Sequence, residues 1–347
     1  MKNRICNIDL AKFISSLLIM ATHLTLLTDK YTNNYWLYVE FFLIISGYFT
    51  AKHFDNKDYD NPLKESIIYT LKKYISFFPY ILIANISMYA LMFIPDLLFG
   101  NLRFRDFLFN FTNSNFIYDV LMITESYSNY NYLIGPLWFL SALLIVLPIF
   151  SCTMQIKNRY GIIMITSMYS LFYYGAVGVI GKRTYPHDFL RVLAGLCLGA
   201  FVYEIMYIFN DYIKNINKLI LTIIELFTFV FPIVAIYLNK CDPRLVLFCF
   251  TVCLAIMLPN LSYTSKIKGK LFTYLGKLSM VLFIIHWVIG SLLQYLINSN
   301  IIKLNNDLEK VILFYGVTII TAMIIMYIID HWKWYQKIIR TPLILKD

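Results

Sequence analysis

The sequence predicts an all-α fold, a polytopic transmembrane helical bundle of about ten spans with both termini in the cytoplasm. Of its 347 residues, 59% are hydrophobic and only 14% are charged, whereas soluble domains are about 45–50% apolar and about 25% charged. The apolar residues fall into about ten blocks that are long enough, at about 1.5 Å per residue, to cross a hydrocarbon core of about 30 Å. A soluble protein is therefore excluded.

Each predicted span covers one apolar block and ends where charged or turn-forming residues begin. The spans are residues 11–28, 36–52, 74–95, 132–151, 161–180, 187–208, 218–238, 243–260, 272–297 and 309–330. Lys and Arg are roughly twice as frequent in the N-terminus, every second loop and the C-terminal tail as in the other loops. This bias predicts cytoplasmic termini. We expect one integral-membrane domain over residues 1–347, with no fused soluble domain.

The net charge of +10 does not indicate a nucleic-acid partner, because the basic residues alternate along the chain and do not gather on one face. The six cysteines lack the paired spacing of a metal site, so no metal is expected. The longest polar connections are residues 53–73, predicted to be cytoplasmic, and 96–131, predicted to be external. For the external connection an interfacial helix is favoured, with acceptor contact as a second role. Its aromatic residues are Phe104, Phe107, Phe109, Phe111, Phe116, Tyr118, Tyr127 and Tyr130.

The first span carries two residues that a lipid-facing helix does not need, Lys12 and His23. Eleven steps of about 100° amount to three turns plus about 20°, so the two residues share one face, about 16 Å apart along the axis. Lys12 then lies near the cytoplasmic surface, and His23 lies in the outer half of the membrane. The alternative is that Lys12 reaches the interface and His23 hydrogen-bonds a neighbouring helix.

Glu40 enters the second span from the side on which His23 is expected. A carboxylate there can orient an imidazole and raise its basicity, or it can simply reach water. Ser46 and Gly47 lie in mid-span, where small residues allow two helix backbones to approach closely or serve chemistry.

Five motifs follow one another along the chain. The first two spans contain a basic residue, ten further residues and a histidine (Lys12 to His23), followed by VEFFLIISGYF at 39–49. GPLWFL at 135–140, RVLAGLCLG at 191–199 and LGKLSMVLFIIHW at 275–287 come next. Together these segments resemble the membrane-bound acyltransferase family 3. Three positions depart from the family: Lys12 stands where Arg is usual, and Lys72 and Ser76 stand where many relatives carry two arginines just before a proline at the start of the third span.

The resemblance implies an enzyme that moves an acyl group, most readily acetyl from acetyl-CoA, to a hydroxyl of a cell-surface polysaccharide or glycolipid. His23 would be the catalytic residue, as a general base or as an acyl carrier, with Lys12 and Glu40 beside it. Lys72, Lys73 and the run Lys266, Lys268 and Lys270 are candidates for the phosphates of the donor, or only set the orientation in the membrane. The protein would lie in the bacterial cytoplasmic membrane among its lipids, and its oligomeric state stays open.

Three further residues are candidates for the substrate site. Arg191 can stabilise an oxyanion, pair with Glu40 or anchor the helix at the interface. His286, in the outer half of the ninth span, is a possible second site histidine or a packing residue, and Trp138 stacks on a sugar or packs. Asp330 and His331 are interpreted as terminal solvation. A transporter or flippase for a glycan precursor is the alternative function, and a scaffold in a polysaccharide synthase is the third.

Overall fold

A computed structural model describes residues 4–28, 34–98, 116–124, 133–177, 187–304 and 306–340, and the secondary structure of these residues is helical, with no strand. The α-helices are α1 (Cys6–Thr22), α2 (Tyr38–Phe54), α3 (Pro62–Leu98), α4 (Phe116–Leu121), α5 (Trp138–Thr153), α6 (Arg159–Leu171), α7 (His187–Lys214), α8 (Lys218–Tyr237), α9 (Pro243–Met257), α10 (Lys270–Asn298), α11 (Asp307–His331) and α12 (Lys333–Arg340). Short 3₁₀ segments occupy His23–Leu26 and Gly135–Leu137, and a π-helical segment, Phe172–Val177, continues α6.

The all-helical prediction is confirmed, because the secondary structure of the described residues is helical and includes no strand. Seven segments of the described residues are long and apolar enough to cross a membrane: Cys6–Leu26, Pro62–Phe93, Gly135–Thr153, Asp188–Lys214, Lys218–Tyr237, Lys270–Asn298 and Asp307–His331. Pro243–Met257 is apolar but shorter. The number of spans and the orientation of the termini stay predictions.

The polar connection predicted over residues 53–73 is wrong in its second half, because α3 already begins at Pro62. The backbone N–H of Lys64 donates to Asn61 Oδ1 at 3.0 Å, so Asn61 caps the helix and Pro62 occupies its first position. The charged residues of this stretch belong to a polar beginning of the helix. In the external connection the structure describes only residues 116–124; the other aromatic residues predicted there lie outside the described residues.

The chain divides into two compact units. Unit 1 is Met1–Thr22, Thr32–Ser66 and Val146–Ser279, and unit 2 is His23–Tyr31, Ile67–Ile145 and Met280–Asp347.

In unit 1, helices α2 and α7 are in backbone contact through two glycines. A Cβ placed on Gly47 would lie 2.0 Å from the carbonyl oxygen of Leu196, and a Cβ on Gly199 would lie 2.0 Å from that of Ile44. No larger side chain fits at such distances, so the packing interpretation of Gly47 is confirmed. This contact sets the register of the two helices and brings Glu40, near the start of α2, to Arg191, near the start of α7.

Unit 2 is held together by aromatic packing and by tyrosine hydroxyls that reach backbone carbonyls. Tyr89 packs with Phe116 and Val120 of α4 in a buried cluster. The Tyr74 hydroxyl donates to the Val120 carbonyl at 3.0 Å, and the Tyr335 hydroxyl of α12 donates to the Ile75 carbonyl at 2.7 Å. Helix α3 is thereby connected to both α4 and the C-terminal helix.

Candidate active site

Two histidines and a tryptophan meet in unit 2. His23 begins the 3₁₀ segment that follows α1, and His286 and Trp287 are successive residues of α10. The ring centroids of His23 and His286 are 5.1 Å apart with the planes tilted by 34°. The Trp287 ring lies 5.1 Å from His23 in an edge-on arrangement, at 84°. The structure therefore places the two histidines chosen from the sequence side by side.

The surroundings of His286 fix which of its ring nitrogens carries the proton. Its Nδ1 lies 3.0 Å from the carbonyl oxygen of Leu282, one helical turn earlier. Since a carbonyl oxygen only accepts hydrogen bonds, Nδ1 must donate, which leaves the lone pair of the neutral ring on Nε2. This Nε2 atom is buried and has no hydrogen-bond partner among the described residues. The pair therefore offers a buried nitrogen that can accept a proton.

Trp287 is the aromatic residue beside His23, and the sequence reasoning missed it. It directly follows His286 in the segment 275–287, and that adjacency was the available signal. A Cβ on Gly135 would lie 3.4 Å from the Trp287 ring, so the GPLWFL segment packs against the indole through its glycine. Trp138, the tryptophan chosen from the sequence, is only 7% exposed, and its role in sugar stacking stays a prediction.

Glu40 and Arg191 form a buried ion pair in unit 1. Arg191 Nε lies 2.5 Å from Glu40 Oε1, and the Tyr174 hydroxyl donates to Glu40 Oε2 at 2.6 Å. The Arg191 guanidinium also lies over the Trp36 ring, 5.1 Å from its centroid. Of the possibilities left open for Arg191, pairing with Glu40 is the one that the structure shows. The contact predicted from Glu40 to His23 stays a prediction.

Tyr174 belongs to the π-helical segment Phe172–Val177, which the sequence did not indicate. A π-helical turn re-aims side chains relative to a regular helix, and such turns are frequent at functional sites. Here the segment directs a hydroxyl to a buried carboxylate.

The other residues chosen in the first and second spans have local contacts in unit 1. The Lys12 ammonium lies 5.9 Å from the centroid of the Phe49 ring. The Ser46 carbonyl accepts from the Thr50 hydroxyl at 2.7 Å. Helix α1 ends at Thr22, and His23 begins a 3₁₀ segment, which has about three residues per turn. The rotation of about 100° per residue that was used to compare Lys12 with His23 therefore applies only up to His23. The shared face of Lys12 and His23, the catalytic role of Lys12 and the substrate-binding role of Ser46 stay predictions.

The lysines proposed for the donor phosphates are exposed or partly exposed. Lys72 is exposed on α3, and the Lys73 ammonium lies 5.0 Å from the centroid of the Tyr69 ring. Lys268 and Lys270 are exposed, and Lys266 lies over Tyr263 at 4.8 Å. Their contacts to phosphate stay predictions.

A polar cavity of about 490 Å³ that the sequence reasoning missed lies in unit 1 at the ends of α2 and α5. Arg159 lies between two carboxylates: it donates from Nη2 to Asp55 Oδ1 at 2.6 Å and from Nη1 to Glu204. The Tyr203 hydroxyl also donates to Asp55, at 2.7 Å. Two carboxylates flank Arg159, so its positive charge has partners inside the protein.

In the part of the chain that the structure describes, no group of three or more His, Cys, Asp or Glu side chains is placed to hold a metal ion. No curated protein and no solved structure matches the chain. The family model described as an acyltransferase domain, of acyltransferase family 3, matches residues 6–331 of the 347. The match includes both units and every candidate residue of the site, and the chain therefore belongs to the acyltransferase 3 family.

Proposed function

We propose that this membrane acyltransferase moves an acetyl group from cytoplasmic acetyl-CoA to a hydroxyl of a cell-surface polysaccharide or glycolipid. The membrane would be the bacterial cytoplasmic membrane. Membership of an acyltransferase family and the apolar helices support the general class. The donor and acceptor are inferred from the resemblance of the sequence motifs to those of the family.

The observation that carries the proposal is the contact between His23 and His286. Two imidazolium charges at about 5 Å repel each other, which keeps at least one ring neutral and able to accept a proton. Acyl transfer to a hydroxyl needs such a group, because the hydroxyl becomes a strong nucleophile only as its proton leaves.

In the proposed step, His23 takes the proton from the acceptor hydroxyl while the oxygen attacks the thioester carbonyl. A C–O bond forms and the carbonyl becomes an oxyanion. The oxyanion then collapses, the C–S bond breaks, and the departing thiolate takes the proton from the imidazolium, so that the free thiol leaves. In the second version His23 attacks the thioester carbonyl, and the C–S bond breaks as the thiolate leaves. The acceptor hydroxyl then attacks the acetyl-imidazole, the C–N bond breaks, and the proton of the hydroxyl goes to the thiolate, so that the free thiol and the neutral imidazole result.

The test is transfer of labelled acetyl from acetyl-CoA by the purified full chain in liposomes, with the surface polysaccharide of the source cell as acceptor. His23→Ala should lower the initial rate by about 10²–10⁴-fold, the usual contribution of a general base. His331→Ala is the matched control, because Nδ1 of His331 also lies near a carbonyl one turn earlier, that of Tyr327 at 2.8 Å, at the exposed end of α11.

We expect His331→Ala to transfer label at the wild-type rate. A folded His23→Ala variant that transfers label as fast as wild type would reject the catalytic role. A wild-type chain that carries the glycan across the liposome membrane without labelling it would instead support the transporter.

A further inference from the structure

Asp119 is a buried carboxylate on α4, outside the predicted spans and apart from the catalytic residues. The residue is only 1% exposed. Its Oδ1 accepts from the Thr124 hydroxyl at 2.9 Å, and its Oδ2 accepts from the backbone N–H of Leu133 at 2.8 Å. A buried carboxylate that is costly to desolvate usually has a specific partner to hold, and here the partner is the main chain of another segment.

The segment that Asp119 holds leads directly to the candidate site. Leu133 precedes Gly135 by two residues, and Gly135 packs against the Trp287 ring. Trp287 in turn lies edge-on to His23. A second hydrogen bond joins α4 to the start of α5. The Ser141 hydroxyl of α5 donates to the carbonyl of Met122, just after α4, at 3.0 Å.

The start of α5 is also connected to His286, the other histidine of the pair, through two phenylalanines. Phe139, in the first turn of α5, lies 5.4 Å from Phe283, and Phe283 lies 6.0 Å from His286, each measured between ring centroids. A shift of the start of α5 would therefore move contacts on both His286 and Trp287.

We propose that Asp119 is a positioning residue, whose hydrogen bond to the Leu133 N–H holds the Gly135 turn against Trp287 and so fixes the orientation of His23. Catalytic groups tolerate little displacement, since an error of about 1 Å in a positioned group can cost about 100-fold in rate. The inference rests on the proposed function only for the measurement of kcat.

The test compares Asp119→Leu, which accepts no hydrogen bond, with Asp119→Asn. The amide of Asn can accept from the Leu133 N–H and donate to the Thr124 hydroxyl, so it preserves both contacts without the charge. Asp211→Leu is the matched control, because the Asp211 side chain is 95% exposed. We expect Asp119→Leu to lower kcat by about 10- to 100-fold with little change in the KM for acetyl-CoA. Asp119→Asn and Asp211→Leu should stay within about twofold of wild type.

A second readout does not depend on activity. The chain has five tryptophans, so the emission of Trp287 is obtained as the difference between each variant and its Trp287→Phe counterpart. The wavelength of the emission maximum in this difference spectrum should shift in Asp119→Leu and remain unchanged in Asp119→Asn. Asp119→Ala, which also accepts no hydrogen bond from the Leu133 N–H, should give the same shift and serves if Asp119→Leu does not fold.

The proposal is overturned if folded Asp119→Leu, or Asp119→Ala in its place, keeps both the wild-type kcat and the wild-type Trp287 emission. It is also overturned if Asp119→Asn loses as much activity as Asp119→Leu, because the contact to Leu133 would then not be the cause. An inactive wild-type chain would reject the proposed function, whereas the emission spectra would still decide the role of Asp119.

Discussion

Arg191 and Glu40 form an ion pair that is almost completely shielded from solvent, with side chains that are 3% and 0% exposed. The Tyr174 hydroxyl also donates to the second oxygen of the same carboxylate. The three side chains come from α7, α2 and the π-helical segment after α6, so the cluster joins three elements of unit 1. We infer that Glu40 holds Arg191 and Tyr174 in place.

Replacing Glu40 by Leu should destabilise the protein by about 3–5 kcal/mol, because it removes the carboxylate that accepts from the buried Arg191 Nε. Thermal unfolding in detergent measures the effect. The double variant Glu40→Leu/Arg191→Met should unfold at a higher temperature than Glu40→Leu alone, since it also removes the buried guanidinium that lost Glu40. If Glu40→Leu unfolds at the wild-type temperature, the pair does not stabilise unit 1.

Replacing Gly47 by Ala should lower the unfolding temperature of the chain. The added Cβ would meet the Leu196 carbonyl at 2.0 Å, so α2 and α7 would have to separate, at a cost of about 1–3 kcal/mol for an overpacked contact. Gly316→Ala on α11 is the control, because a Cβ there meets nothing within 4 Å. Removing a helical glycine should stabilise Gly316→Ala by up to about 1 kcal/mol. Equal effects of the two substitutions would contradict the close contact.

Asp119 should make stability depend on pH. Burial raises the pKa of Asp119 from 3.8 to about 7, against the opposing effect of the hydrogen bonds from Leu133 and Thr124. Between these two values the unfolded chain has lost the proton while the folded chain keeps it, so stability falls as the pH rises from about 4 to about 7. Above about 7 this contribution no longer changes.

Other carboxylates titrate in part of the same range, so the measurement is the difference in unfolding temperature between wild type and Asp119→Asn at each pH. From pH 4 to pH 7 the unfolding temperature of wild type should fall steadily relative to that of Asp119→Asn. A constant difference over that range would show that Asp119 titrates alike in the folded and unfolded chains.

The helices and the two histidines could be predicted from the sequence, because their signals are local. Apolar blocks of span length mark the helices, and a histidine inside such a block is conspicuous because it is costly there. The start of α3 was missed because hydropathy detects polarity and not helicity. The Asn61 cap and Pro62 were a sufficient signal for it.

The contacts of the site could not be predicted to the same extent, because they join distant parts of the chain. Tyr174 is 134 residues from Glu40, and no sequence feature near either residue predicts their contact. Trp287 has the hydropathy of the other apolar residues of α10, and only the fold places its ring 5.1 Å from that of His23. Asp119 lies in a connection whose polarity was expected at the membrane surface, and only its burial distinguishes it.

The most direct test of the account is a double-mutant cycle on the rate of acetyl transfer with His23→Ala, His286→Ala and the combined variant. If the two rings act as one unit, each single change lowers kcat by about 10²–10⁴-fold, and the combined variant is about as slow as the slower single variant. Losses that multiply in the combined variant, or a folded His286→Ala enzyme with the wild-type kcat, would contradict a shared histidine site.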